Sequence, residues 1–340
     1  MQYNRLPCCR HPTTILLVDD HTDRARSLAR QLTSLHCRIL VFNQPQAVLD
    51  YLQDEYRPQP FTSTWDHALD FDEATRTVVP QLHHQLYSPT RFDQIAVMVT
   101  DHDLACDTDG LQLCRLMPHA HIHKILWTRV LRAAEATEAF NDGIISGYVF
   151  VDGQPHIEQS IARLKTLVNN ALHKHFFSLS SFLQQAGDYH YEYQALNDPA
   201  FISLFQGFVD ELKIVDYYLF DYTGCFVLVD EAGNDYTLFA RDEASMIASY
   251  ECDEFEKAPS HIQQQLQSKT HMLCLPQIED RTSVPCSEWA AYIHPATVLK
   301  GEHDTYFYHL GKKLVDLQRD QILSFAAHQQ QHKPVEYRLK

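Results

Sequence analysis

No run of about 18 apolar residues occurs in this 340-residue chain, which excludes a transmembrane helix. Residues Met1 to Pro12 carry two arginines and two cysteines but no apolar stretch, so no secretory signal is expected. The nine cysteines show no C-x-x-C spacing, and the neighbours Cys8 and Cys9 are too constrained to bridge each other. They read as reduced thiols, which points to a cytoplasmic protein. Basic residues are scarce: 28 Lys and Arg face 44 Asp and Glu, a net charge of −16. Residues 1–175 carry 16 basic against 20 acidic residues, and residues 176–340 carry 12 against 24. The second half is thus at −12, the wrong sign for meeting a phosphate backbone, so direct DNA binding is disfavoured. P-loop, G-x-S-x-G, cyclase, phosphodiesterase and helix-turn-helix signatures are all missing. There is no internal repeat, and His328–His332 (HQQQH) reads as merely polar.

What is present is an alternation of strands and helices. Thr13–Val18 is a short apolar run ending in Asp19-Asp20. From about Asp23 to Leu35, Ala25, Leu28, Ala29, Leu32 and Leu35 recur at helical spacing. Cys37–Phe42 predicts a second strand and Pro45–Gln53 a second helix. Residues 56–92, with Pro58, Pro60, Pro80 and Pro89, read as an insertion with some helix near 73–86. Ile95–Val99, Lys124–Trp127 and Tyr148–Val151 are further strands, separated by helices from Gly110 and from Arg132 to Asn141. Ile157–His175 is a long last helix. Five such units predict an α/β, flavodoxin-like, doubly wound five-stranded parallel sheet over residues 13–175, after a tail of residues 1–12.

Residues 176–340 predict an α+β domain with an antiparallel sheet. Val215–Tyr222, Cys225–Asp230 and Tyr236–Ala240 are joined by Thr223-Gly224 and Ala232-Gly233-Asn234 turns. His271–Leu275, Ala291–Val298 and Thr305–Leu310 are further strand candidates, and a helix closes the chain from Lys312 to about His328. The order is loosely PAS-like or GAF-like, an analogy at fold level. The aromatics Tyr189, Tyr191, Tyr193, Tyr217, Tyr218, Tyr222 and Phe226 could line a ligand pocket or pack the core.

In a doubly wound sheet, functional groups gather at the carboxyl ends of the strands. Here those ends hold Asp19, Asp20, Asp101, Thr128 and Val151. Three acids in one crevice repel one another, and a hard divalent cation such as Mg²⁺ relieves that. One carboxylate can then act as a nucleophile toward phosphorus. Ile15–Asp20, Val97–Asp101 with Asp103-Leu104, Asp109-Gly110-Leu111, Ile125–Thr128 and Gly147–Phe150 together resemble the receiver domains of two-component response regulators.

That resemblance implies phosphorylation of Asp101 by a sensor histidine kinase or a phosphotransfer protein. It implies Mg²⁺ on Asp19, Asp20, Asp101 and the backbone carbonyl of Asp103. Thr128 would hydrogen-bond the phosphoryl group, and Tyr148 would change rotamer. The chain would be a phospho-acceptor rather than an enzyme acting on other molecules, and a homodimer through the face of about Arg132–His175, where Ile144, Ile145 and Ile157 are apolar. With its acceptor near residue 100 and its acidic second half, the architecture resembles the quorum-sensing response-regulator branch known from Legionella.

Three departures stand out. Val151 replaces the family's lysine, and Arg129 is the candidate substitute cation. The loop after Asp101 is one residue longer, with Leu104-Ala105 where Met-Pro is usual. The alternative reading is a degenerate receiver fused to a ligand- or nucleotide-binding second half. His119, His121 and His123 alternate like ligands on one strand face but lack zinc-type company, and His173 and His175 read as solvated.

Overall fold

The computed structural model describes residues 5–58, 82–117, 119, 121–129, 133–151, 156–185, 194–221, 224–250, 255–276 and 284–339. The chain forms two compact units. One comprises His11–Trp65, Pro89–Ser178 and Ala327–Lys340; the other comprises Met1–Arg10, Asp66–Ser88 and Leu179–Ala326.

The first unit holds a parallel sheet. Numbered along the whole chain, its strands are β2 (Thr14–Val18), β3 (Arg38–Phe42), β4 (Ile95–Thr100), β5 (His123–Thr128), β6 (Gly147–Phe150) and β14 (Val335–Arg338). Their order across the sheet is β14-β3-β2-β4-β5-β6. β2, β3 and β4 are buried at every position, as expected for strands covered on both faces. The two-residue side-chain period sorts them into two cores. Leu16, Val18, Leu40, Phe42 and Met98 face α2 (Pro45–Asp54), α4 (Gly110–Leu116) and α5 (Ala133–Asn141). Ile15, Leu17, Ile39, Val41 and Val97 face α1 (Thr22–Leu32) and α6 (Ile157–Gln185). Each such aliphatic side chain contributes about 1.5–3 kcal/mol on burial.

Helix α1 buries Ala25, Leu28, Ala29 and Leu32, the stripe its spacing predicts. Helix α5 ends at Gly143, whose φ of 71° puts it in the left-handed region that suits glycine. The Gly143 amide donates to the Phe140 carbonyl and the Ile144 amide to the Ala139 carbonyl, closing the last turn.

The sheet has six strands, not the five expected. The additional strand, β14, lies parallel to β3, with Val335 opposite Ile39 and Arg338 opposite Phe42. Its sequence, VEYR, is short and half polar, so no apolar run announces it. It is held by ion pairs that only the fold creates: Arg38 with Glu336 at 2.5 Å and Arg338 with Glu55 at 2.6 Å. The expected helix from Lys312 to His328 is also corrected. Strand β13 (Thr305–Lys312) runs through those first residues, Lys313 turns with φ 55°, and α10 occupies only Phe325–Gln331.

The second unit carries a six-stranded antiparallel sheet in the order β1-β7-β8-β9-β13-β12. Its members are β1 (Cys9–Arg10), β7 (Ile214–Leu219), β8 (Cys225–Asp230), β9 (Asp235–Arg241), β12 (Thr297–Lys300) and β13. A separate hairpin pairs β10 (His271–Leu273) with β11 (Ile293–Pro295). The antiparallel strands match the expected ones closely, because each carries its own β-branched or aromatic run and turn residues. Residues 1–12 are not simply a tail: Cys9 pairs with Tyr218 and Arg10 with Tyr217. The described end of the insertion includes the helix α3 (residues 82–87), and the His83 ring stacks on Phe220 at 4.2 Å.

Helix α7 (Pro199–Glu211) begins at Asp198, whose carboxylate accepts from the Ala200 amide at 2.9 Å, the His303 amide at 2.9 Å and the Tyr306 hydroxyl. One buried carboxylate thereby ties the helix to the turn before β13. Tyr217, Tyr218 and Phe226 are buried, with Phe205 edge-on to Tyr217 and Phe226, which favours their reading as core. Tyr189, Tyr191, Tyr193 and Tyr222 lie outside the described residues. The eight cysteines among the described residues are free thiols, seven of them buried.

Candidate functional site

Parallel strands all end on the same edge, so their terminal residues become neighbours. Val18 on β2 stands opposite Thr100 on β4, and the Asp101 amide donates to the Val18 carbonyl at 2.9 Å. The next residues, Asp19 and Asp101, therefore leave the sheet side by side. Both are nearly fully buried, at 1% and 4% exposure. Asp20 is partly exposed, and its carboxylate accepts from the Ala105 amide at 3.1 Å, which ties down the loop after Asp101. That loop also curls over Asp101 itself: the Asp103 amide lies 3.4 Å from Asp101 Oδ1.

The cation at this crevice is Arg24, on the first turns of α1. Its Nε donates to Asp19 Oδ2 at 2.6 Å and its Nη2 to Asp19 Oδ1 at 2.9 Å, a two-pronged grip. The same Nη2 donates to Asp101 Oδ2 in a very short contact and lies 3.8 Å from Asp20 Oδ1. One guanidinium thus touches all three carboxylates. Arg129, the substitute suggested by sequence proximity, is exposed, and no ion pair to it is seen among the described residues. The sequence did carry a signal for Arg24: it stands four residues after Asp20, one helical turn along the first helix. Arg129 follows β5, whereas the guanidinium that meets the acids comes from α1.

Burial pushes the Asp101 carboxyl above its ordinary pKa; Arg24 pulls it back, and Asp19 pushes it up again. The net direction is upward, so ionised Asp101 is poised to gain from any further cation.

The other expected residues are placed as follows. Thr128 ends β5 fully buried, and its carbonyl accepts from the Val151 amide. Val151 packs in the apolar core on the α1 and α6 face, where a lysine stem would have to leave that packing. Tyr148 is half-buried on β6, with its ring edge-on to Phe150 at 5.3 Å. Asp103 is exposed.

Gly110 explains the Asp-Gly signature. A Cβ there would stand 2.0 Å from the Asp101 carbonyl oxygen, so only glycine lets α4 start against the Asp101 backbone. Asp109 caps that helix by accepting from the Gln112 amide, and the Gln112 side chain returns to the Asp109 amide.

The donor set suits a hard divalent ion. Carboxylate oxygens from Asp19, Asp20 and Asp101 already surround one positive charge, and ligand atoms of Asp19, Asp20 and His21 lie within 4.8 Å of one another.

The histidines elsewhere have separate partners. His121 meets the Tyr56 hydroxyl at 3.3 Å and His123 meets Ser146 at 3.2 Å, so the two are not drawn to one centre. His175 is buried rather than solvated; burial lowers its pKa to about 3. On the expected dimer face, Ile145 is buried, Ile144 and Ile157 are partly buried against the core, and Phe140 is half exposed. No described helix is long and apolar enough to cross a membrane.

No family model and no curated protein sequence matches this chain. Among solved structures, the chain is similar to the Legionella pneumophila response regulator LqsR, at 23% identity and TM-score 0.75 over 98% of both chains. It is also aligned with the receiver domain of a putative Luxo repressor protein from Vibrio parahaemolyticus, at 12% identity and TM-score 0.33, over 49% of this chain and 95% of that one. A response-regulator receiver protein from Pseudomonas putida aligns at 18% identity and TM-score 0.31, over 47% of this chain and 97% of that one. The likeness to LqsR extends through both units, so the two-unit fold is shared along the whole chain.

Proposed function

We propose that this chain is a response regulator that accepts a phosphoryl group on Asp101. The observation that supports this best is the crevice itself: Asp19, Asp20 and Asp101 at adjacent strand ends around one guanidinium. The donor would be a sensor histidine kinase or a phosphotransfer protein. An Asp101 carboxylate oxygen attacks phosphorus, the P–O bond forms as the donor's P–N bond breaks, and the donor imidazole leaves with a proton. Mg²⁺, held by Asp19, Asp20, Asp101 and the Asp103 carbonyl, would neutralise charge on the phosphoryl oxygens.

Arg24 takes the part of the missing lysine. It keeps Asp101 ionised beforehand, and its forked donors match two phosphoryl oxygens once the phosphoryl group is attached. The Thr128 hydroxyl donates to a third, and Tyr148 follows the movement of Thr128.

The output reading is a switch in self-association or in docking of residues 176–340, which controls gene expression within quorum sensing, the role that the sequence resemblance implies. Phe140 is the exposed apolar residue on the proposed dimer face. The PAS-like or GAF-like character of the antiparallel unit belongs to the same proposal.

A second reading has its own observation. Arg24 saturates both oxygens of Asp19 and grips Asp101, as in a degenerate receiver whose acids are locked, with the function moved to ligand binding in the second unit. Incubation with acetyl phosphate and Mg²⁺, read by intact mass, separates the two. The proposal expects one phosphoryl adduct on the wild type and none on Asp101→Asn. An unmodified wild type would support the locked receiver, and a nucleotide thermal-shift panel on the full chain would then follow.

A further inference from the structure

We propose that Asp93, His328 and His332 form a binding site for a transition-metal dication such as Zn²⁺, pinning the C-terminal segment to the parallel unit. His328 lies on α10 and His332 just past its last residue, where the His332 amide still donates to the His328 carbonyl at 2.8 Å, so the two imidazoles stand one helical turn apart, the spacing by which helices present two imidazoles to one ion. Asp93 comes from the turn Arg91–Asp93 just before β4, more than two hundred residues away in sequence. The ligand atoms of all three lie within 4.8 Å of one another. His328 Nε2 and Asp93 Oδ1 are 3.1 Å apart, close to the spacing of two ligands on a tetrahedral ion with bonds of roughly 2.0–2.1 Å.

The surroundings are those of a built site. His328 is almost fully buried, and the edge of its ring meets Phe92 at 5.2 Å, which fixes its orientation. The His332 ring lies 4.7 Å from that of His328. Arg38 Nη1 donates at 2.7 Å to the same Asp93 oxygen that meets His328, and so orients the carboxylate as outer-shell partners do. His332 and Asp93 are partly exposed, which leaves an entry path and a fourth position for water.

Two imidazoles and one carboxylate favour a borderline ion over Mg²⁺, so this site and the Asp101 crevice would take different metals. Binding replaces the hydrogen bond between His328 and Asp93: the hydrogen on Nε2 moves to Nδ1, or is released to solvent if Nδ1 already carries one, and Nε2 and the Asp93 carboxylate each bond the metal. The ion would clip α10, and β14 directly after it, onto the edge of the sheet at β3.

The test uses the full chain, stripped with a chelator, and Zn²⁺ or Co²⁺ alone as probe. One equivalent of Zn²⁺ is expected to raise the melting temperature, and Co²⁺ to give the visible absorption of a four-coordinate ion. His332→Gln, at a partly exposed position that should fold normally, should weaken binding by at least about tenfold. Asp93→Asn should do likewise and keep the fold if the Arg38 contact is retained. Equal Co²⁺ spectra and affinities in wild type and His332→Gln would overturn the proposal and place any binding at other histidines. The absence of any Co²⁺ band in the wild type would overturn it too.

Discussion

Two arginines of the parallel unit are used in nearly the same way at opposite edges of one sheet. At the carboxyl edge, Arg24 bridges Asp19 and Asp101. At the amino edge, Arg38 bridges Asp93 and Glu336. The first arginine sits on a helix and joins two residues that have just left their strands, beside a loop and a buried hydroxyl. The second opens β3 and joins the turn before β4 to β14, an edge strand that would otherwise lack a reason to dock. The contact chemistry is the same, and location assigns the role: strand ends that open onto a crevice offer a reactive carboxylate, and the other edge offers a staple.

The largest effect should come from unbalancing the first bridge. Arg24→Ala is expected to slow phosphorylation of Asp101 by on the order of 10–100-fold. It should also move the acid limb of the pH–rate profile upward, because the cation that pulls the raised Asp101 pKa back is gone. Adding Val151→Lys to Arg24→Ala should restore much of the rate; no recovery would mean that Arg24 is not the lysine's substitute.

Gly110→Ala comes next. Its Cβ would meet the Asp101 carbonyl at 2.0 Å, so the start of α4 must shift, at roughly 1–3 kcal/mol by urea unfolding, and phosphorylation should fall with it. Ala at Gly207, in the interior of α7 where a Cβ meets nothing within 4 Å, is the control expected to leave phosphorylation unchanged and to raise stability by about 0.5–1 kcal/mol.

Arg38→Met tests the staple. Removing one partner of a buried pair strands the other, but Asp93 and Glu336 are each about a third exposed, at 30% and 31% of their side-chain surface, and can rehydrate. The expected cost is therefore about 2 kcal/mol, with phosphorylation intact.

The smallest effect is acid loosening of β14. Burial works to raise the Glu336 pKa, but hydrogen bonds from Arg38 and Arg338 outweigh it and hold the carboxyl below its ordinary value. A lowered folded pKa gives stability that is present above the unfolded value, about 4.3, and is lost as pH falls through the folded one. Amide exchange over residues 335–338 should accelerate below that pH, and Glu336→Gln should show it already at neutral pH.

Much of the acidic crevice could be read without coordinates, and the reasons are local. Asp19, Asp20 and Asp101 each follow an apolar run whose length sets where the strand stops. Asp109-Gly110 announces a cap and a close approach within four residues. What escaped the reading is long-range. Arg129 was the substitute cation suggested by the sequence, but the fold aims Arg24, from α1, at the acids. HQQQH looked merely polar because its partner, Asp93, comes from 235 residues earlier.

The sequence by itself determined the alternating strands and helices, the two cores of the parallel sheet and the gathering of three acids at its carboxyl edge, because periodicity and strand termination act within a few residues. Only the tertiary structure decided which cation serves those acids, that the final residues return as a sixth strand, and that two histidines meet a distant aspartate. Those outcomes depend on packing geometry between segments far apart in the chain, for which no local pattern stands.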